Sequence, residues 1–164
     1  MFNIRVANKE DHAEQITANN CAMALETENK ILDKASAKFG VSRVFDNKEL
    51  GFYLVAENKS GVIASLMITY EWSDWRNALF WWIQSVYVRP EYRQKGVYKQ
   101  MHETLRGMAR QSNLPVCGFR LYAEENNNIA HFAYLNVGMK KCEYIMFEES
   151  LSLIHISEPT RLAT

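Results

Sequence analysis

The spacing of hydrophobic and polar residues predicts a chain in which strands and helices follow one another in short segments. Residues 2–6 alternate as a strand does, and further strands are predicted at 51–57, 62–70, 79–88 and 116–123, with one or two more segments within 141–148. Helices are predicted from Asp11, a capping residue, to about Leu25, then at about 32–45, after Gly96 and at 130–137. No repeat or linker divides the chain.

The order of these elements, β-α-α-β-β-β-α-β-α-β, predicts a mixed, mostly antiparallel sheet with helices on its faces. A turn at 58–61 joins two of the strands in a hairpin. The helix after Gly96 is expected to pack through one face, because Val97, Met101, Leu105 and Met108 recur at helical spacing. The fold class is therefore α/β, of the α+β kind.

Side chains along strand 79–88 are expected to alternate between the two faces of the sheet. One face would then carry Trp82, Gln84 and Val86, and the other would carry Trp81, Ile83, Ser85 and Tyr87. We expect one set to belong to the core beneath the helices and the other to line a cleft.

Composition narrows the class of protein. A chain of 164 residues with 48% hydrophobic residues can bury the core of one domain. Its 19 basic and 19 acidic residues balance, which argues against a nucleic-acid partner. Three cysteines without ligand spacing indicate neither a disulfide framework nor a metal site. Because no membrane span or signal peptide is visible, we expect a soluble, cytoplasmic protein.

The segment 93–98, Arg-Gln-Lys-Gly-Val-Tyr, reads as a basic turn between a buried strand and a helix. Such a turn points backbone N–H groups and a positive helix end at one spot, which suits a phosphate or pyrophosphate. Neither the Walker spacing nor the G-x-G-x-x-G fingerprint is present.

This segment resembles the pyrophosphate loop of the GNAT superfamily of acyl-CoA N-acyltransferases, whose pattern is [RQ]-x-x-G-x-[GA]. Tyr98 stands where Gly or Ala is usual, and it would be tolerated on the outer face of the helix. The preceding residues 88–92, Val-Arg-Pro-Glu-Tyr, strengthen the likeness, and the element order matches the family across about residues 2–149. The resemblance implies a GNAT-like sheet with a splayed pair of parallel strands and helices on both faces.

The resemblance also implies acetyl-CoA as cofactor and assigns residues to it. Backbone groups of Val86, Tyr87 and Val88 would hold the pantetheine arm. The pyrophosphate would lie on the amides of Gln94, Lys95, Gly96, Val97 and Tyr98, with charge added by Arg93 and Lys99. The alternative is an ordinary surface turn at the start of a helix.

A second segment, 127–139, resembles the family's N-x-x-A-x-x-x-Y-x-x-x-G-[FM] pattern. The likeness assigns Asn127 to the cofactor and makes Tyr134 the general acid. A tyrosine hydroxyl with an ordinary pKa of about 10 stays protonated at neutral pH and can protonate a leaving thiolate. Alternatively, Tyr134 is an aromatic core residue.

The sequence identifies the general base less directly than it identifies the general acid. Many family members place a carboxylate on the strand before the pyrophosphate loop, where this chain has Gln84 and Ser85. Glu71 is the nearest candidate, followed by Asp74, and each could instead act as a counter-ion for the amine. Both could also simply cap the turn at 72–77.

The acceptor site is expected to be aromatic and acidic. The region from 67 to 85 is rich in aromatic residues and resembles one uncharacterised bacterial branch of the superfamily. A cation would be attracted by charge and by cation–π contact. The residues assigned to the acceptor are Glu26, Glu28, Asp74, Trp75, Trp82 and Gln84, of which the first two could be only a solvated helix end.

Together these features predict an acetyl-CoA-dependent N-acetyltransferase that acetylates a primary amine of a small molecule by direct attack in a ternary complex, without a metal. The alternatives are a protein or peptide N-acetyltransferase and a catalytically silent acyl-CoA sensor. A homodimer is a further expectation, since sheet edges often pair in the family.

The C-terminal residues 151–161 resemble the translation of a transposase sequencing adapter, as found in metagenomic libraries. We therefore expect residues 1–150 to form one acyltransferase domain and 151–164 to be a non-native, dispensable tail.

Overall fold

A computed structural model describes residues 1–152 of the chain. Strands are formed by Asn3–Val6 (β1), Phe52–Asn58 (β2), Gly61–Ser73 (β3), Ala78–Val88 (β4) and Val116–Arg120 (β5). Helices are formed by Lys9–Glu28 (α1), Lys34–Asp46 (α2), Val97–Arg110 (α3) and Asn128–Asn136 (α4), with a short 3-10 turn at Pro90–Tyr92.

The five strands form one sheet in the order β1-β2-β3-β4-β5. Every neighbouring pair is antiparallel except β4 and β5, which run parallel. This arrangement confirms the predicted mixed, mostly antiparallel α/β fold.

Each face of the sheet has its own hydrophobic core. On one face, Val97, Met101 and Leu105 of α3 pack against strand residues such as Leu54 and Leu66. On the other, Ile16 of α1 and Val41 and Val44 of α2 pack against Tyr53 and Val55. The alternation of β2 thus buries both of its faces, as expected for a strand covered by helices on both sides.

The start of α1 differs from the prediction. Asn8, rather than Asp11, is the capping residue, and its side-chain oxygen accepts a hydrogen bond from the Asp11 N–H at 2.8 Å. The helix consequently begins earlier, at Lys9. Asp11 lies in the first turn, where a negative side chain suits the helix dipole.

A β-bulge in β4 overturns the predicted alternation of its side chains. Ser65 pairs with Tyr87 and Met67 pairs with Gln84, so Ser85 and Val86 together lie opposite one residue of β3. Ser85 has φ 52°, the left-handed conformation that accommodates the extra residue. Beyond it Val86 packs on the α3 side.

The same bulge turns Tyr87 toward α1, where its hydroxyl meets Glu26. The prediction that Tyr87 shares a face with Trp81 and Ile83 is therefore wrong, because one inserted residue reverses the order of the faces.

The parallel strands separate partway along β4. Pairing with β5 runs from Leu79 to Trp82, which lies opposite Arg120. β4 continues to Val88 on its pairing with β3 alone. Within residues 1–152, the edge of β4 that faces β5 is thus left open beyond Trp82, which is the splayed pair that the resemblance implied.

The strand segments predicted within 141–148 do not form. Residues 139–152 contain neither helix nor strand, and Tyr144, Ile145, Met146 and Phe147 are all exposed. A strand requires a hydrogen-bonded neighbour, and within residues 1–152 the outer edge of β5 has none. Most of the predicted non-native tail lies outside the described residues.

No helix within residues 1–152 is long and apolar enough to cross a bilayer. In the same part of the chain, no group of His, Cys, Asp or Glu side chains is arranged to hold a metal ion.

Candidate functional site

A cleft of about 720 Å³ opens where β4 leaves β5. Its walls come from the end of α1, the end of β4, the turn at 93–96, the first turn of α3 and the helix α4. Apart from Lys95, every residue predicted to bind the cofactor lines this cleft, as do Tyr134 and Glu26. The cleft therefore joins sequence segments that were assigned separately.

One end of the cleft is the N-terminus of α3. Gly96 is its capping residue, with φ 79° in the left-handed region, and a Cβ there would meet no atom within 4 Å. Backbone conformation rather than lack of space thus favours glycine at this position. No side chain caps the helix, so its first amides are available to an anion.

The cleft floor is the open edge of β4. The residues predicted to hold the pantetheine arm, Val86, Tyr87 and Val88, all lie there. The Val88 carbonyl accepts a hydrogen bond from Arg93 Nε at 2.7 Å. Arg93, predicted to add charge near the pyrophosphate, therefore already has a backbone partner.

Together these features fit a diphosphate followed by a pantetheine arm. Uncapped helix amides and the cations Arg93 and Lys99 lie at one end, and an open strand edge leads away from them. Lys95 does not line the cleft, so its assignment to the cofactor has no support from the geometry.

Tyr134 lies on α4 at the wall of the cleft. Its ring meets the Tyr98 ring edge to face, with 5.4 Å between centroids. Burial raises the pKa of the Tyr134 hydroxyl above its usual value, so this group is protonated at neutral pH. It can therefore donate a proton within the cleft.

Tyr98 points inward rather than outward from α3. Its hydroxyl lies at hydrogen-bond distance, 3.0 Å, from His102 Nδ1, and burial raises its pKa. The ring is therefore not on the outer face of the helix, the position at which a tyrosine was expected to be tolerated. The ring fills the space between α3 and α4 that a glycine or alanine would leave.

His102 lies in the core, with only 1% of its surface exposed. Burial, with a further contribution from Arg106, lowers its pKa to about 4. The imidazole is thus neutral at neutral pH, and its Nε2–H tautomer has an Nδ1 that can accept a hydrogen bond from the Tyr98 hydroxyl.

Asn127 lines the cleft and also caps α4, where its side-chain oxygen accepts a hydrogen bond from the Ala130 N–H at 3.1 Å. This capping hydrogen bond fixes the orientation of the Asn127 side-chain amide. A structural role thus stands beside the predicted contact with the cofactor.

Glu26 is the predicted acceptor residue that the structure brings into the cleft. Its carboxylate accepts hydrogen bonds from the Tyr87 hydroxyl at 2.8 Å and from Arg93 Nη2 at 2.9 Å. Burial acts to raise the pKa of Glu26, but these two hydrogen bonds outweigh it and hold the pKa below the usual range.

The predicted general base, Glu71, does not line the cleft. Its carboxylate accepts hydrogen bonds from Trp82 Nε1 at 2.8 Å and from Arg120 Nη1 at 3.0 Å. Arg120 also stacks on Phe80, with 3.6 Å from its guanidinium carbon to the ring centroid. The cation that pairs with Glu71 was not foreseen from the sequence.

The other predicted acceptor residues also lie outside the cleft lining. Gln84 donates a hydrogen bond to the Thr69 hydroxyl at 2.6 Å. Asp74 and Trp75 lie in the exposed β3–β4 turn, and Trp75 is 88% exposed. Glu28 is the exposed last residue of α1. Of the residues predicted for the acceptor site, the structure places Glu26 in the cleft lining and the others, Trp82 included, outside it.

Several cleft residues were missed by sequence reasoning. On α4, the positions that accompany Tyr134 include Ala130, Ala133 and Val137, whose helical spacing could have placed them on the same face. Met23 and Thr27 of α1 also line the cleft. Nothing in their local sequence marks them, because only the packing of α1 across the sheet brings them there.

Comparisons with known proteins agree with this geometry. A family model described as Acetyltransferase (GNAT) family matches residues 15–139. A possible acetyltransferase from Clostridium difficile 630 is 37% identical, with a TM-score of 0.84, and the match covers 93% of this chain and 99% of that one. A search of curated proteins gave no match.

Two more distant structures share the fold. A predicted acetyltransferase with acetyl-CoA from Clostridium acetobutylicum is 18% identical, with a TM-score of 0.72 over 94% of this chain and 98% of that one. AAC(6')-Iy in complex with the bisubstrate analogue CoA-S-monomethyl-acetylneamine is 14% identical, with a TM-score of 0.70 over 93% and 99% of the two chains.

Proposed function

The chain belongs to the Acetyltransferase (GNAT) family, and on that premise we propose that it transfers an acetyl group from acetyl-CoA to a primary amine of a small molecule. The family and its structural relatives support acyl-CoA N-acetyltransferase activity. The choice of acetyl donor, small-molecule acceptor and direct attack is our own proposal.

One observation carries it. A single cleft joins the uncapped N-terminus of α3, the open edge of β4 and the buried Tyr134 hydroxyl. The first suits a diphosphate, the second an extended amide-bearing arm, and the third a leaving thiolate. The cleft thus brings together three requirements of acyl transfer from a coenzyme A thioester.

Bound acetyl-CoA supplies an acetyl group on a thioester that an amine can attack. In the proposal, the open amides of β4 hold and polarise the acyl arm, so that the attacking nitrogen and the acyl carbon are kept together. As the carbon–sulfur bond breaks, the Tyr134 hydroxyl gives its proton to the sulfur. No covalent enzyme intermediate is needed.

The amine must also lose a proton before or during attack. We propose Glu71 as the eventual acceptor of this proton through water, since its side chain is 41% exposed and does not line the cleft. Its ion pair with Arg120 instead favours a purely structural role. The dependence of kcat on pH in Glu71→Gln distinguishes the two roles, because loss of the base should remove the acidic limb of the profile, whereas loss of a structural ion pair should lower activity without removing that limb.

A catalytically silent acyl-CoA sensor is the second candidate. Gln84 occupies the place of the usual strand carboxylate, and Glu71 is held by Arg120. Both features would be expected of a protein that binds the donor without acting on it. A protein or peptide acceptor remains the third possibility, and no feature of the described cleft favours it.

The test is release of free thiol from acetyl-CoA across a panel of small amines. We expect one class of amine to stimulate release, and Tyr134→Phe to lower turnover about a hundredfold or more while acetyl-CoA affinity changes little. Tyr70→Phe is the matched control, because Tyr70 is exposed and lies outside the cleft.

Either of two results would count against this function. Unchanged turnover in Tyr134→Phe would remove Tyr134 as the acid. Tight acetyl-CoA binding without amine-stimulated release would favour the sensor or a protein acceptor.

We further propose that two copies of the chain pair. Within residues 1–152, the outer edge of β5 has no neighbouring strand. The exposed residues 144–147 pass close to it, since the Tyr144 ring lies 5.6 Å from the Arg120 guanidinium carbon. A free strand edge and an exposed apolar segment in one chain are complementary in a two-fold dimer.

A further inference from the structure

Arg93, in the turn at 93–96, contacts two other walls of the cleft, the end of α1 and the end of β4. Its Nη2 donates to Glu26 at the end of α1 at 2.9 Å, and its Nε donates to the Val88 carbonyl at the end of β4 at 2.7 Å. Its guanidinium carbon lies 5.4 Å from the Tyr87 ring centroid, and the Tyr87 hydroxyl donates to the same Glu26 carboxylate. All four residues line the cleft.

These contacts occupy groups that the donor molecule requires. The Val88 carbonyl lies on the strand edge proposed for the pantetheine arm, and Arg93 lies beside the proposed diphosphate site. The Nε and Nη2 atoms form the edge of a guanidinium that pairs with two oxygens at once. A phosphate that takes this edge of Arg93 must therefore displace both Glu26 and Val88.

The exchange is energetically accessible. Arg93 and Glu26 are 41% and 39% exposed, so water screens their ion pair and its strength is modest. A diphosphate carries more negative charge than one carboxylate and meets the uncapped N-terminus of α3 as well. The phosphate is therefore the stronger partner for Arg93.

We propose that Arg93 is a latch that responds to the acyl-CoA: it holds Glu26 and Val88 in the free protein and exchanges them for the diphosphate. The exchange leaves the Glu26 carboxylate without its cation. This inference rests on the proposed function and adds to it a change of partners at Arg93 that accompanies binding of the donor.

The experiment is a double-mutant cycle on CoA binding, measured by titration calorimetry with CoA as the probe. Glu26→Gln should tighten CoA binding about two- to fivefold, because Arg93 no longer has to leave a carboxylate. Arg93→Gln should weaken binding. In the double variant, the gain from Glu26→Gln should disappear, because the residue it acted through is absent.

Glu28→Gln is the matched control. It removes the same charge two residues farther along α1, where Glu28 is exposed and makes no hydrogen bond or ion pair with Arg93. Equal tightening by Glu28→Gln would overturn the latch, since the effect would then be general electrostatic attraction. A gain from Glu26→Gln that persists without Arg93 would overturn it too.

Release of Glu26 has its own readout in carbon NMR of the labelled carboxyl group. The pKa of Glu26 should lie below its usual range in the free protein and should rise when CoA is added. A Glu26 titration that CoA leaves unaltered would overturn the release step.

These experiments distinguish failure of the Arg93 latch from failure of the proposed acetyltransferase function. Normal CoA binding with no coupling between Glu26 and Arg93 overturns the latch alone. Absence of CoA binding by the wild-type protein overturns the proposed function and the latch together.

Discussion

Tyr98, His102 and Tyr134 form a buried cluster beside the cleft. The Tyr98 hydroxyl is fixed by neutral His102, and its ring supports the Tyr134 ring edge to face. Tyr98 departs from the family pattern and places a hydroxyl in the protein interior. His102, one helical turn later on α3, gives this buried hydroxyl a hydrogen-bond partner.

This cluster predicts how the free energy of unfolding depends on pH. His102 has a pKa of about 4 in the folded protein and a reference value of 6.5. The unfolded chain therefore binds a proton between these pH values while the folded chain does not, so stability falls as the pH is lowered from about 6.5 toward 4.

His102→Asn should reduce the slope of the free energy of unfolding against pH, between pH 4 and 6.5, by up to about 1.4 kcal/mol per pH unit. Urea unfolding at a series of pH values measures this slope. Asparagine can still accept the Tyr98 hydrogen bond. A slope in His102→Asn equal to wild type would show that His102 does not titrate in this way.

The sequence predicted much of the candidate site, because each of the two motifs consists of residues that are close together along the chain. The loop at 93–98 and the segment at 127–134 each occupy a few consecutive residues, so their patterns are visible in sequence. The Glu71–Arg120 pair was not visible, because its members are far apart along the chain and meet only through the registers of β3 with β4 and of β4 with β5.

At the scale of the elements, two glycines differ in whether a side chain could be added to them without moving the fold. Gly51, just before β2, has φ 149°, and a Cβ there would lie 1.9 Å from the Ile68 carbonyl oxygen. Gly40 is exposed within α2, and a Cβ there would meet nothing within 4 Å. Close approach to β3 therefore requires glycine at position 51 but not at position 40.

Gly51→Ala should lower the free energy of unfolding by about 2–4 kcal/mol, because the backbones of β2 and β3 must shift. Gly40→Ala should raise it by about 0.5–1 kcal/mol through better helix propensity. Chemical denaturation of the two variants measures both. Equal stability of the two variants would contradict the observed packing at Gly51.

Element types and their order followed from periodicity, whereas local deviations did not. Helix and strand spacings are properties of neighbouring residues, and β2, β3 and α3 were predicted close to their observed bounds. The bulge at Ser85 was missed because Ser is not a usual residue for φ 52°. Its presence depends on pairing with β3, and it reverses the faces of the residues that reach the cleft.

For the whole molecule, the exposed segment 144–147 predicts a concentration-dependent dimer. Light scattering after size exclusion should give twice the monomer mass, and Phe147→Lys should shift the equilibrium to monomer, because a charge cannot be buried against β5. Ile31→Lys is the matched control, since Ile31 is 87% exposed between α1 and α2. A monomer at all concentrations would contradict the pairing.

The sequence by itself predicted the order of the nine elements that form within residues 1–152, the mixed sheet and the loop at 93–98, because each depends on residues close together in the chain. Only the tertiary structure decided what these groups can do together. The bulge at Ser85, the separation of β4 from β5 and the packing of α1 bring Glu26, Tyr87 and Arg93 into contact. Such contacts join residues more than sixty positions apart, and hydrophobic burial on two faces of one sheet fixes their positions only once the whole chain has folded.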